Sequence, residues 1–294
     1  MLRVKPIVRK ILIAFAAVFA ALLIVAGFGF YRVYYGKHVY ESVAPQLPQD
    51  LKPPAILIFS KTNGFRQDDA IQAANKALTV IAKRRGWTVF VTENGAVFNP
   101  AQLSRFSATV WNNTSGDTLN DAQKAAFQAY MENGGGFVGI HGAGGDPYYA
   151  WRWYVETLIG AEFKGHPLNP QFQRASVNIE THDDPATRSL PDVWERTDEW
   201  YSFEHSPRVK GVEVLAALDE NSYQPRMLWR NISMGNDHPV IWKHCVGKGR
   251  AFYSALGHAA GSYQEPLYLA VLEGGIAWAA GLEDDACAAT ETTK

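Results

Sequence analysis

His141 closes the run Gly134-Gly135-Gly136-Phe137-Val138-Gly139-Ile140 and is followed by Gly142-Ala143-Gly144-Gly145-Asp146. A short apolar strand ending in one polar side chain and a glycine-rich turn has the outline of a nucleophile elbow. The presented group here is an imidazole, which moves protons or binds metal and is rarely the attacking nucleophile. Four more of the eight histidines, His166, His205, His238 and His258, fall at strand ends or in Gly/Pro-rich loops. Singly, each is more simply a hydrogen-bonded structural histidine. Their shared placement in loops is what points to chemistry. No HExxH or H-x-H pairing accompanies them, so spacing alone specifies no metal site.

A second constellation is Thr197-Asp198-Glu199-Trp200-Tyr201-Ser202-Phe203. Strand alternation sends Asp198, Trp200 and Ser202 to one face and Glu199, Tyr201 and Phe203 to the other. Burial among aromatics and repulsion from Asp198 are expected to raise the Glu199 carboxyl toward the range of a general base. The plainer reading, an edge strand with solvated acids, weighs equally. Phe65, Tyr148, Tyr149, Trp151, Trp153, Tyr154, Trp200 and Tyr201 crowd the same loops. Sugar CH faces stack on such rings, although about half of these are expected to be ordinary core.

These groups need elements to hold them. Residues 55–60, 88–92, 108–111 and 137–140 read as buried strands, and 68–86 and 118–132 as amphipathic helices. That order, β-α-β, a connector, then β-α-β, calls for a largely parallel sheet with helices on both faces. Beyond it, 148–159 reads as an aromatic helix and 172–179, 194–203 and 212–218 as strands. Residues 239–245 and 250–255 form a hairpin around Val246-Gly247-Lys248-Gly249, and 266–280 a closing helix.

The chain has 294 residues, 47% hydrophobic and 13% aromatic, with a formal charge of -1. That composition supports a sizeable core and excludes the basic surface of a nucleic-acid binder. Residues 11–30 carry no charge and are long enough to span a bilayer. Arg3, Lys5, Arg9 and Lys10 precede them, which keeps residues 1–10 cytoplasmic and exports the remainder as a periplasmic domain on a single-pass inner-membrane anchor. A cleaved signal peptide is the rival. Its apolar region would exceed the usual length, and no clean A-x-A follows. Residues 31–54 read as a Pro-rich linker and 282–294 as a flexible tail. Cys245 sits in a strand-like run and Cys287 in the tail. Export permits a bridge, but the favoured reading is one buried thiol and one loose one. Neither has the spaced partners of a structural zinc site.

The blocks Gly64-Phe65-Arg66, Gly134 to His141, Tyr149-x-Trp151-x-Trp153-Tyr154 and Gly160-Ala161-x-Phe163-x-x-His166-Pro167 resemble the ThuA-like (trehalose-utilisation) family. So do Asp198-Glu199-Trp200-Tyr201, His238-Pro239-Val240-x-Trp242, the run from Gly247 to His258, and Gly274-Gly275-Ile276-x-Trp278-Ala279-x-Gly281. The resemblance covers residues 55–281. It implies a flavodoxin-like, class I glutamine amidotransferase-like α/β fold and a link to disaccharide or 3-keto-sugar metabolism. Two places depart from the family pattern: Gln67 stands where His is usual, and Gly142-Ala143-Gly144-Gly145 where Ser-Ala-Thr-Asp is usual. Both changes remove polar groups from the supposed pocket edge.

The expected reading is acid/base chemistry on a 3-keto-glycoside or related small carbohydrate, by an isomerase, lyase or hydrolase. Glu199, His141, Asp198 and His258 are the catalytic candidates; Arg66, Tyr201, Trp200, His166 and His238 are the substrate-binding ones. Glutaminase activity is not expected, because the elbow holds His141 and not a cysteine. No cofactor is required by this reading, and a divalent metal held by histidines stays open. The alternatives are a non-catalytic sugar- or envelope-binding module and a metal-dependent hydrolase.

Overall fold

The structure is a computed structural model that describes residues 6–35, 39–146, 149–283 and 287. Helix α1, Pro6–Tyr35, is apolar on every side between residues 11 and 30, and its described side chains are exposed. Its apolar part, Ile7–Tyr31, is 25 residues long, roughly 37 Å at helical rise against a hydrocarbon core of about 30 Å. It is long enough to cross a membrane, and a signal sequence has the same character.

The first half of the domain alternates strands and helices: β1 Ala55–Phe59, α2 Asp68–Arg85, β2 Thr88–Thr92, α3 Pro100–Leu103, β3 Ala108–Asn112, α4 Asp121–Glu132 and β4 Gly136–Ile140. Helix α4 starts three residues later than its periodicity suggests. Asn120 and Gln123 form a reciprocal capping box there, leaving Thr118 in the preceding loop. The second half adds β5 Phe163–Gly165, β6 Phe172–Ile179, β7 Val193–Glu199, β8 Ser202–Phe203, β9 Glu213–Leu218, β10 Arg226–Met227, β11 Arg230–Asn231, β12 Pro239–Val246, β13 Gly249–Ser254 and α5 Pro266–Ala279. The expected aromatic helix begins only at Arg152 and passes into a π-helical turn, Tyr154–Ile159; Tyr148 lies outside the described residues.

Nine strands form one sheet in the order β2-β1-β3-β4-β13-β12-β9-β6-β7. The five from β2 to β13 are parallel, as expected of a mostly parallel α/β sheet. The remaining four pairings are antiparallel. Four reversals restore direction, so β7 ends at the same edge as β4 and β13. One face carries α2 and α5, and the other α3, α4 and the π-helical turn. On the latter, Trp111 meets Phe59, Phe98, Phe127, Phe137 and Tyr154 at ring centroids of 5.1 to 5.9 Å. Trp151 and Trp153 stack on each other at 5.3 Å and lean on Phe127. These rings, expected near sugar, are core.

One expectation about the ends is corrected, and the linker is seen to pack on the domain. In residues 39–51, Lys61 donates to the Val39 carbonyl and pairs with Glu41 at 2.6 Å, and Gln123 donates to the Glu41 carbonyl. Gln102 and Arg105 donate to the Pro45 and Leu51 carbonyls. The segment therefore crosses the carboxyl ends of β1 to β3 and runs down to the start of β1. Cys245 and Cys287 are joined in a disulfide, with Cα atoms 5.7 Å apart. Cys287 is thereby held against the β12–β13 hairpin, so the second thiol is not loose. A bridge across 42 residues is worth about 4 kcal/mol in loop-closure entropy. Cys287→Ser is thus expected to lower the melting temperature by roughly 10 °C in oxidising buffer, and reductant should erase the difference between variant and parent.

Candidate functional site

Two neighbouring parallel strands, β4 and β13, pair Ile140 with Ser254 at their ends. The residues just beyond the two strands are therefore adjacent in space: His141 after β4, and Ala255 to His258 after β13. His141 has φ +44, a left-handed conformation rare outside glycine. Such strain persists only where the surroundings over-determine it. Here the Tyr253 hydroxyl donates to the His141 carbonyl at 2.8 Å, and His141 Nδ1 lies 2.8 Å from the Ala255 carbonyl. A carbonyl only accepts, so Nδ1 carries a proton, and Nε2 is the nitrogen turned toward Glu199.

Strand β7 is the edge of the sheet, yet Asp198 and Glu199 are not solvated. Trp194, Arg196 and Asp198 alternate inward beneath the segment that leads into α5, and Glu199 turns inward as the strand ends. Alternation does not continue through Phe203, because the chain breaks at Trp200-Tyr201 before β8 pairs with β5. Both acids are consequently buried. Asp198 Oδ2 accepts from Arg196 at 2.7 Å and Gly257 N at 2.9 Å, while Oδ1 accepts from Glu199 N at 2.9 Å and His258 N at 3.3 Å. It is fully buried, and its two oxygens are taken up by these four donors.

Glu199 is the hub. Its Oε2 lies 3.2 Å from His141 Nε2 and 2.9 Å from His258 Nδ1, and those two nitrogens are 3.0 Å apart. Its Oε1 accepts from Gln171 Nε2 and lies 3.1 Å from His166 Nδ1. Burial alone would raise this carboxyl. Hydrogen bonds from His141 and His258, with the charge of His141 and His166, outweigh burial and hold it well below the ordinary carboxylate range. The expected upward shift is thus reversed: Asp198 contributes no uncompensated repulsion because Arg196 neutralises it, and the flanking rings are not the nearest neighbours. That environment favours the charged carboxylate and makes Glu199 a weaker base than an ordinary glutamate.

Tyr201 roofs the cluster, its ring 4.0 Å from that of His141 and 4.5 Å from Phe163. Burial, then the nearby Glu199 charge, push its phenol well above its usual value, so it remains a neutral donor. The glycine-rich turn makes room for it. A Cβ on Gly145 would lie 2.7 Å from the Tyr201 ring, and one on Gly144 2.6 Å from Tyr253. Side chains in those places would drive two tyrosines off the site. Gln67, the other departure, does not empty the pocket edge: its Nε2 is 3.2 Å from His258 Nδ1 and its side chain also bonds Tyr201.

His141, Glu199, His258, His166 and Tyr201 therefore converge, with Asp198 behind them. The other candidates do not join them. Arg66 pairs with Glu93 at 2.7 Å and Asp68 at 2.6 Å, partners on its own side of the loop. Trp200 is fully buried and donates to the Gln173 carbonyl at 2.8 Å. His238 is also buried, paired with Glu220 at 2.8 Å and bound to the Tyr201 carbonyl at 2.7 Å, so it supports the roof from behind. His205 is exposed. Gln171, Arg196 and the rim ring Phe172, 5.0 Å from His258, were not among the candidates. The register Phe172 to Glu199 in the β6–β7 pair places Gln171 and Phe172 here. Pairing those two strands at the sequence level would have found both.

A family model described as trehalose utilisation, ThuA, matches residues 55–279. The chain belongs to the ThuA family. A putative ThuA-like protein from Bacteroides uniformis superposes with a TM-score of 0.68 at 24% identity, covering 81% of this chain and 95% of that one. One from Parabacteroides merdae gives 0.61 at 19% identity, covering 82% and 96%. These likenesses speak for the fold. No curated protein sequence matches. The converging residues His141, His166, Glu199, Tyr201 and His258 all lie within the ThuA match, whereas α1 precedes it.

Proposed function

We propose that this ThuA domain is exported, tethered by α1, and moves protons next to the ketone of an oxidised sugar, most plainly a 3-keto-glycoside. One observation carries the chemistry: His166 Nδ1 lies between the Pro167 carbonyl, at 2.9 Å, and Glu199 Oε1, at 3.1 Å. Both partners accept, so Nδ1 is protonated, and in the neutral ring Nε2 holds the lone pair. A carboxylate that fixes the tautomer and stabilises the imidazolium is the arrangement of a base dyad. His166 is a quarter exposed, the most accessible of the cluster. The role expected of Glu199 thus passes to His166, with Glu199 orienting it.

In the step proposed, His166 Nε2 takes the proton from C2 of a 3-keto sugar. The C–H pair becomes the C2–C3 double bond, and the ketone oxygen gains the negative charge next to the His141–His258 side. Return of the proton gives an isomer; departure of the glycosidic oxygen from C1 with its electron pair gives elimination. Neither needs a nucleophile. The family's description supports the sugar as substrate class. The direct test is the full chain in detergent, incubated in D2O with methyl 3-keto-glucosides. Deuterium should enter beside the ketone faster than in buffer. Tight sugar binding with no exchange would favour a binding module instead.

Export is supported by the basic residues before α1 and by the disulfide, since such bridges persist in oxidising compartments. An alkaline-phosphatase fusion after Tyr40 is expected to be active, with the protein retained on membranes after a carbonate wash. An inactive fusion would reverse the orientation. Release into the wash would mean that α1 is cleaved.

A further inference from the structure

We infer that His141 Nε2, Glu199 Oε2 and His258 Nδ1 form a binding site for one divalent first-row transition ion. The cluster is that of the proposed function, but its grouping of donor atoms fits an ion whatever the substrate. The three atoms make a triangle with edges of 3.0, 3.2 and 2.9 Å. His141 Nδ1 faces the Ala255 carbonyl, so Nε2 is the ring nitrogen turned toward Glu199 and His258. Glu199 Oε2 is an acceptor. His258 Nδ1 also faces the Gln67 amide at 3.2 Å, whose N–H2 can only donate. Two ring nitrogens and a carboxylate oxygen thus face one another in the donor types that hold a divalent cation, and one ion seated among them touches all three.

The dimensions suit a metal. Ligands at about 2.1 Å on one face of an octahedron are about 3.0 Å apart. Two imidazoles and a carboxylate on one face, with the opposite positions open, favour iron, manganese, cobalt or zinc over magnesium or calcium. The supports match those of ligating residues: a carbonyl on the far nitrogen of His141, Gln171 and His166 on the other Glu199 oxygen, and Asp198 on the His258 backbone. Burial is complete at His141 and near complete at Glu199, while His258 sits 14% exposed at the rim and leaves a way in. The open positions would take a ketone oxygen or vicinal hydroxyls.

The test uses the full chain in detergent, stripped with chelator and titrated with Zn2+ or Co2+ alone, with bound metal counted by mass spectrometry. One equivalent is expected, with Co2+ absorption typical of five or six ligands. Gln171→Ala should weaken binding by roughly 10–100-fold, and His258→Ala by more. His258 is at the rim, and the melting curve of its variant checks folding. His182→Gln, a surface histidine paired with Asp192, should change nothing. Absence of binding below millimolar metal, or binding unaffected by His258→Ala in a folded protein, overturns the site. The sugar reading fails separately: one bound equivalent with no deuterium exchange supports the metal and removes the keto-sugar step. Exchange in a protein that binds no metal does the reverse.

Discussion

His166→Asn is expected to slow deuterium exchange beside the ketone by roughly 10²–10⁴-fold, the usual cost of removing a general base. Sugar affinity should change by only a few-fold, because the ring is partly exposed and packs loosely, 6.1 Å from Tyr201. Glu199→Gln should cost at least as much, for a different reason. Its amide would present N–H2 either to His166 Nδ1–H, undoing the tautomer, or to the His141–His258 pair, undoing the other half of the cluster. The double variant should then be little worse than Glu199→Gln alone, since residues acting as one unit lose their effect together. Additive losses would mean that the dyad does not act as one. Exchange in His166→Asn at the parent rate would remove His166 as the base altogether.

The fold could be read in the chain wherever periodicity was strong. The apolar runs of β1, β3 and β4 and the stripe Ile71, Ala74, Leu78 and Ile81 on α2 sit in the core as their spacing demands. The antiparallel half was legible as strands but not as pairings, because a register between β6 and β7 depends on partners that alternation alone does not name. That gap hid Gln171 and Phe172. It also made Glu199 look like a desolvated base when its neighbours are in fact histidines. His141 and His258 were visible because both follow buried parallel strands, where strand ends collect function. Trp200, His238 and Arg66 carried the same kind of motif, and nothing in the residue type separates a ring that lines a pocket from one that props the loop behind it. Cys287 was misjudged for a similar reason: its small-residue surroundings describe a tail but not the hairpin on which that tail lands.

Asp198→Asn should be the most destabilising single-atom change in the domain. Four donors converge on two carboxylate oxygens: Arg196 and Gly257 N on one, Glu199 N and His258 N on the other. An amide keeps one oxygen and turns an N–H2 toward two donors. It also takes the buried counter-charge from the Arg196 guanidinium, which lies between the rings of Trp194 at 4.5 Å and Tyr268 at 4.7 Å and keeps only the part-exposed Glu265 at 3.7 Å. Breaking a buried pair by removing one partner costs about 3–5 kcal/mol, roughly 10 °C in melting temperature for a domain of this size. Arg196→Met should also destabilise, but by leaving a carboxylate that three backbone donors still satisfy, and so by less. Adding Arg196→Met to Asp198→Asn removes the orphaned charge, and part of the stability should return. Exchange activity should not return with it. The backbones of Glu199 and His258 are placed by the Asp198 oxygens and not by the arginine, so the two ligand-bearing loops would stay displaced. Melting curves and deuterium exchange on the same three variants separate the two contributions. If stability and exchange recover together in the double variant, Asp198 serves only to neutralise Arg196 and does not position the site.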